Sequence, residues 1–527
     1  MNYTKLGKIL GKIMILEAVL MLAPLAMTLI YKESLRHFLA FLIPIAALVG
    51  LGFLLQIPKP KRDNLYQKEG FALTALVWVV MTLAGAVPFV LNGEIPHFVD
   101  AWFEIMSGFT TTGASIVPDV SLLSHSTLFW RSFSHWVGGM GILVFVLIFI
   151  PESDDGSAMH LLRAESPGPQ VGKIVSRMKA TARILYLIYL GMTALLIIVL
   201  CCGPLIDYNA MCEAFGETVA ASYQKDKIFH ALLTSFGCAG TGGFGSVPGS
   251  MQYYTPFAQY VCSIFLLLFG CNFTLYYLLL IGKAKQVFKS EEVKGYFFAI
   301  VAAVSLVFIS LLLGACTLPQ TYTTEESFRH SLFQVASLIT TAGFSSTDFD
   351  VWPMLAKTTL ILVTFSGAMA GSTAGGIKMS RIIIAIKGAY INVRKLINPR
   401  YVPKAKFEDK PLEEKTISDV FAHITLYFFL LMGVVFLLSF DAVNGMSFTM
   451  ASDAGTYVTE HGFLTNFSAT VSCLSNIGPG FEAVGPYGSF AAYNQFSKIL
   501  LTLTMMIGRL EILPVLILFS PKTWKRA

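Results

Sequence analysis

Charge is what this sequence has least of. Of 527 residues only 13% are Asp, Glu, Lys or Arg, against 55% apolar. A soluble chain of this length needs roughly twice that share of charge to cover its surface. The scarcity is also uneven. Uncharged runs extend over His37–Pro58, Gly70–Gly93, Ser132–Pro151, Ile184–Ile206, Gly295–Thr324, Thr358–Ile377 and Val420–Phe440. Each approaches or exceeds the roughly 20 residues that cross a bilayer core. One such run fits a buried soluble helix, but this many in one chain exclude a soluble protein. The sequence also lacks CxxC and paired Cys/His spacings. Its cysteines, at 201, 202, 212, 238, 262, 271, 316 and 473, lie mostly in apolar runs. They read as small buried hydrophobes, neither a zinc site nor a disulfide framework. Neither His-Glu-x-x-His nor Gly-x-Ser-x-Gly occurs in the loops, so nothing supports an intramembrane protease or transferase, and the chain reads as no enzyme. A leader-peptide cleavage site is missing too. Met1–Lys12 is basic and precedes an apolar stretch, but that stretch carries Glu17 and has no small-x-small pattern. It reads as a retained first helix.

The charge that is present has a pattern. Net charge is +6, but 29 of the 38 Lys and Arg sit in the connectors 1–12, 57–70, 152–183, 283–294, 378–415 and 520–527. Leu91–Trp130 and Asp441–Ser497 contain none. This alternation is the positive-inside pattern, not a nucleic-acid-binding face. It predicts basic connectors and both termini in the cytoplasm, with the weakly basic segments outside.

Those outer segments repeat a form: a moderately apolar stretch, a loop of small residues, then a further spanning run. The loops are Thr111-Thr112-Gly113-Ala114-Ser115, Thr241-Gly242-Gly243-Phe244-Gly245, Thr341-Ala342-Gly343-Phe344-Ser345 and Asn476-Ile477-Gly478-Pro479-Gly480. Aligned on the central glycine, position −2 is Thr, Thr, Thr and Asn, and position −6 is Ser107, Gly237, Ser337 and Ser472. Each unit reads as helix, re-entrant half-helix, loop, helix. A dehydrated cation needs oxygens in place of water. Extended backbone supplies carbonyls, but at membrane depth only where it lines a cavity. Glycine lets the carbonyls turn to one axis, and each half-helix aims its negative end at the ion. Four such loops make the ring of carbonyl dipoles that potassium filters use. A set of packing glycines is the plainer explanation of any single loop. The expected ligands are Thr111, Thr112, Gly113, Thr241, Gly242, Gly243, Thr341, Ala342, Gly343, Asn476, Ile477 and Gly478, holding potassium with no covalent cofactor.

With these motifs in place the sequence resembles the TrkH/TrkG/KtrB/HKT superfamily of potassium transporters, most closely its TrkH branch. Besides the loops, the resemblance rests on Trp130-Arg131-Ser132-Phe133-Ser134-His135-Trp136-Val137-Gly138-Gly139-Met140-Gly141-Ile142, Ala370-Gly371-Ser372-Thr373-Ala374-Gly375-Gly376-Ile377-Lys378 and Ile507-Gly508-Arg509-Leu510-Glu511. It runs from about residue 68 to the C-terminus. Two further spans, near 10–30 and 37–56, resemble a pair found in that branch. The resemblance implies an all-α polytopic fold with four pseudo-repeats around one pore. The expected division is 1–67 (N-terminal helix pair), 68–151, 152–282, 283–396 and 397–527. It implies an inner-membrane homodimer with one pore per subunit, in contact with lipid. It also implies a cytosolic nucleotide-binding subunit of the TrkA type. About three extra residues are expected within Ser235–Gly240 of the second half-helix. Gly113 weighs toward potassium, since a Ser there accompanies sodium selectivity in the plant branch. A sodium-permeable or ammonium-conducting member of the fold stays open, as does, more remotely, an organic-solute transporter.

Two elements suggest a gate. Ser366–Ile377 places Gly367, Gly371, Gly375 and Gly376 inside an apolar run, where each glycine weakens a helix by about 1 kcal/mol relative to alanine. It is either a close-packing face or a broken helix looping beneath the filter. The resemblance favours the second, with Ser372, Thr373 and Lys378 in the gating set. Arg509, in the last spanning run, costs at least about 2.5–3.5 kcal/mol at the bilayer centre without a wet cavity or partner. It either faces the ion path as a barrier or forms a structural pair with Glu511 or Glu104. Arg131 is expected to snorkel from a helix end. His135 and His230 read as packing residues, lacking partners at metal-ligand spacing.

Overall fold

The computed structural model describes residues 2–58, 67–141, 178–314, 322–398, 406–452, 455–512 and 515. Cys316, Ile142, most of the basic connector 152–183 and the terminal basic segment 520–527 lie outside the described residues.

The hydropathy pattern resolves into helices. Two lead the chain, α1 (Tyr3–Ile30) and α2 (Leu35–Gln56), close to the spans expected from sequence. They cross where Gly11 and Gly52 meet, and a methyl group added to either would lie under 3.0 Å from the other's carbonyl oxygen. Backbones approach this closely only across small residues. The pair leans on the next helices, and the Glu33 carboxylate accepts from the Ser126 N–H (3.0 Å) and from its hydroxyl (2.5 Å).

A three-helix pattern then recurs four times. The first set is α3 (Gln67–Asn92), α4 (Phe98–Phe109) and α5 (His125–Gly139). The second is α6 (Met178–Cys202), then short α7 (Tyr208–Phe215) and α8 (Glu217–Lys225), then α9 (Lys227–Gly240) and the bent pair α10 (Pro256–Phe269) and α11 (Phe273–Leu280). After α12 (Ala284–Lys289) the third is α13 (Glu291–Leu313), α14 (Thr324–Ile339) and α15 (Met354–Phe365), followed beyond a break by α16 (Met379–Ile397). A small hairpin, β1 (Lys406–Phe407) and β2 (Lys410–Pro411), leads to the fourth: α17 (Glu414–Leu438), hairpin β3 (Ser447–Ser452) and β4 (Gly455–Glu460), α18 (Phe463–Ser475) and α19 (Gln495–Arg509).

Lengths separate the roles. The first helix of each set has 23 to 26 residues, long enough to cross a bilayer. The second has 12 to 16 and crosses about half of one. The helix after each loop is also short, with 12 to 15 residues, where the sequence suggested a further full span. Among the described residues six helices are long and apolar enough to span, or seven if the α10–α11 pair, bent by 90°, counts as one. The half-length helices are buried almost all round, and their loops meet one another. The chain is a membrane protein.

Candidate functional site: a ring of four loops

Each half-helix ends in the same way. The residue at position −1 donates its N–H to the carbonyl at −6: Thr112 to Ser107 (2.9 Å), Gly242 to Gly237 (2.9 Å), Ala342 to Ser337 (2.8 Å) and Ile477 to Ser472 (2.9 Å). That is the 6→1 bond of a Schellman cap, which puts the intervening residue in the left-handed region. Glycine usually sits there. Here it is Thr111, Thr241, Thr341 and Asn476, with φ between 54° and 57°. A β-branched residue in this region is an outlier and stores strain. The central glycines follow with φ of 83°, 66°, 81° and 111°.

The loops close on one another in a cycle. A methyl group added to Gly113 would lie under 3.0 Å from the carbonyl oxygen of Gly242, and the same holds for Gly243 with Ala342, Gly343 with Ile477 and Gly478 with Thr112. Each glycine is therefore read by the next loop's carbonyl at −1, and the fourth returns to the first. All twelve residues expected to hold the ion fall in this ring. At three of the four loops a contact explains the small residue at position −6. Ser337 Oγ donates to the Phe344 carbonyl (2.7 Å), and Ser472 Oγ accepts from the Gly478 N–H (2.9 Å). At Gly237 the Phe344 ring occupies the space a side chain would need. The extra residues expected in the second half-helix do not appear as a bulge. α9 runs unbroken to the same cap, because the repeated bond fixes the register from its C-terminal end.

On one side the four central glycines border a cavity of about 480 Å³, with Arg131 and Asp119 in its wall. Arg131 does not snorkel. It is 2% exposed and pairs with fully buried Glu104 of α4 at 2.7 Å, so it is held inward by a carboxylate and does not reach for the interface. Glu104 also accepts from the Ser115 hydroxyl (3.0 Å) and the Ile116 N–H (2.8 Å), and the guanidinium lies 4.2 Å from the Phe244 ring centre. The pair thus braces the first loop against the second. Sequence reading cast Glu104 only as a possible partner of Arg509. Its offset from Arg131 across a loop gave no periodic signal.

On the opposite side lies the glycine cluster. Helix α15 stops at Phe365 and α16 starts at Met379, so the run is broken. The segment folds on itself, with the Gly367 N–H donating to the Ile377 carbonyl at 2.8 Å and positive φ at Gly371 (77°) and Gly376 (68°). It reaches up to the ring. The Gly375 N–H donates to Thr341 Oγ1 (2.7 Å), and Thr373 Oγ1 lies 3.3 Å from Thr241 Oγ1. Lys378 turns back onto the carbonyls of Ala374 and Gly375, and Ser372 Oγ donates to the Met369 carbonyl (2.7 Å). Arg509 completes this side. Its Nη1 contacts Thr111 Oγ1 (3.3 Å) and the Thr373 carbonyl (2.9 Å), and its Nη2 the carbonyls of Gly138 and Gly139. Glu511 pairs with Arg381.

Sequence reading missed a second break. Between α10 and α11 the chain turns at Gly270–Asn272, and it pairs with the first break: Met369 N–H to Gly270 O and Phe273 N–H to Gly371 O, both 3.1 Å. Asn272 caps α11 by accepting from the Thr274 N–H (2.8 Å). A glycine two residues before a capping Asn was the available signal. Both histidines serve packing. His135 Nδ1 bonds the Gly108 carbonyl (2.8 Å) and His230 Nδ1 the Ser246 hydroxyl (3.0 Å). Among the described residues no group of three His, Cys, Asp or Glu could hold a metal ion.

A family model described as TrkH, a cation transport protein, matches residues 37–526. The chain belongs to the TrkH family of cation transport proteins. It is 31% identical over 536 residues to the Trk system potassium uptake protein TrkH of Escherichia coli strain K12, with 100% of both chains covered. It is 30% identical over 523 residues to that organism's Trk system potassium uptake protein TrkG, covering 98% of this chain and 97% of TrkG. The crystal structure of the potassium transporter TrkH from Vibrio parahaemolyticus superposes with a TM-score of 0.81 at 27% identity, with 100% of both chains covered. This TrkH-family match begins at residue 37, inside α2, so it reaches further toward the N-terminus than the motifs alone indicated.

Proposed function

We propose that this chain takes up potassium through a filter made by the ring of four loops. The observation that carries the reading is the closed cycle in which each central glycine abuts the next loop's carbonyl. A dehydrated monovalent cation on that axis gains carbonyl oxygens from all four loops, and each half-helix presents the negative end of its dipole. The names of its relatives, potassium uptake proteins, point the same way. The pore is divided into units 68–151, 152–282, 283–396 and 397–527, with 1–67 as an added helix pair. The segment 366–378 and Arg509 form the gate, where the guanidinium, always charged, opposes a permeating cation. Basic connectors and both termini face the cytoplasm of a bacterium, and the chain sits in the inner membrane as a homodimer. A cytosolic nucleotide-binding subunit of the TrkA type controls it.

The test is ion flux through purified protein in liposomes, comparing potassium, rubidium, ammonium and sodium. Potassium and rubidium should pass alike, and sodium at least about ten-fold more slowly, a difference of roughly 1.4 kcal/mol. Gly113→Ser should admit sodium, because the new side chain meets the Gly242 carbonyl. No discrimination in the parent protein would sink the potassium filter. An unchanged ratio in the variant would remove Gly113 from selectivity.

A further inference from the structure

The glycine segment is held from a distance. Hairpin β1–β2 turns through two residues, Glu408 (φ 52°) and Asp409 (φ 60°), both left-handed. Such turns ordinarily use Asn-Gly, because a side chain is disfavoured there. A strained residue kept in place suggests that its side chain has a task. The Glu408 carboxylate accepts from the Ser290 hydroxyl (2.7 Å) and from the Glu292 N–H (3.0 Å), at the start of α13. Lys387 fastens the same joint, pairing with Glu291 and donating to the Lys406 carbonyl (2.6 Å).

Glu292 has a second end. Its side chain is 5% exposed, and Oε1 accepts from the Ala370 N–H (2.8 Å) in the glycine segment and from the Ser380 N–H (3.2 Å) in the first turn of α16. One oxygen therefore ties both sides of the break to α13. Ala370 lies three residues before Thr373, whose carbonyl receives Arg509. An unbroken line of hydrogen bonds and backbone runs from the exposed flank of the hairpin to the underside of the ring.

We propose that Glu292 and Glu408 are positioning residues for segment 366–378: the hairpin at 406–411 fixes the start of α13, and Glu292 thereby holds the segment under the ring. This rests on the reading of that segment as a gate. Displacing the hairpin would move the Glu292 backbone, and its side chain would release Ala370 and Ser380 together. A partner that grips the hairpin would control flux without touching the segment.

The experiment uses full-length protein in liposomes, with potassium flux scored per folded molecule. Glu292→Ala should raise flux about ten-fold, the scale of losing hydrogen bonds to a charged acceptor. Glu292→Gln keeps the accepting oxygen and should restore most of the parental value. Glu408→Ala should raise flux by less, and the double alanine variant should match Glu292→Ala alone. A second readout is modification of Ser372→Cys by a water-soluble thiol reagent, located by mass spectrometry; its rate should rise in parallel. Parental flux and parental labelling in Glu292→Ala would overturn the proposal, as would effects that multiply in the double variant. If Glu292→Ala fails to fold, half-buried Glu408 decides: parental flux and labelling in Glu408→Ala overturn the proposal, and a rise in both supports it. Deleting 371–376 separates the two layers. If the deletion changes flux and Glu292→Ala does not, only the positioning role falls. If neither does, the gate itself falls.

Discussion

In the ring, residues 111, 241, 341 and 476 share φ values within 3° of one another, although three are Thr and one is Asn. Just beneath it the sets of helices diverge, with two of them interrupted in ways the other two are not. Helix α5 ends at Gly139, α10 bends by 90° into α11, α15 opens into the glycine segment, and α19 runs on to Arg509. On the proposed reading, a cation on the axis asks for equal oxygens from every side, which one backbone conformation built from Thr or Asn supplies. A barrier needs only one charge and one movable segment. Symmetry is required at one level and is dispensable at the other, less than a side chain's length away.

The sharpest way to break that comparison is at a ring glycine. Gly343→Ala forces a left-handed conformation that costs about 1–2 kcal/mol and drives a methyl into the Ile477 carbonyl and the Pro479 ring. Potassium flux should fall by more than about ten-fold, with the other loops unable to compensate. Flux near the parental value would mean that the four loops need not be alike.

Arg509→Ala tests the asymmetric level and should act in the opposite direction. At 4 Å two unit charges interact by about 4 kcal/mol at an effective dielectric of 20. Even a quarter of that, in a wet cavity, is a several-fold faster flux. Loss of folded protein without faster flux per molecule would assign Arg509 to structure, since its guanidinium also holds the Gly138, Gly139 and Thr373 carbonyls.

The smallest effect lies at the ring's outer edge. Asp350, beyond the third loop of the ring and outside every spanning helix, accepts from the Glu482 N–H that follows the fourth loop at 2.5 Å. Burial, with the neighbouring Asp348 charge, raises its carboxyl to about 7. A raised acid favours the folded state when protonated. Stability should therefore be greatest below the unfolded value near 4 and decline as pH rises toward 7. Asp350→Asn should flatten that part of a thermal-unfolding profile. An identical pH profile in parent and variant would disconnect this joint from titration.

The loops were legible in the sequence because their demands are local. Glycine at the central position and a polar residue two before it recur in the same register, and each requirement is met within half a helix turn. The glycines at 366–377 were legible too, but locally they fitted a packing face as well as a break. Other features were hidden. Arg131 looked free to reach the interface, yet Glu104 of α4 and the Phe244 ring of the second loop hold it inward. No motif or repeat singled out Glu292. The turn at Gly270 passed unnoticed inside an apolar run, because a helix and its break share the same hydropathy.

The long first span of each set and the loop register came from the sequence alone, since bilayer thickness and backbone sterics act on neighbouring residues; the glycines at 366–377 allowed a broken helix or a packing face, and the fold decided between them. The cyclic order of the loops did not come from the sequence, nor did the carbonyl each glycine meets or the partners of Arg509. Thr112 and Gly478, or Thr373 and Arg509, lie far apart in the chain and meet only when the four helix sets close around one axis. Packing decides which backbone groups face one another there, and buried polar groups must find partners wherever packing leaves them.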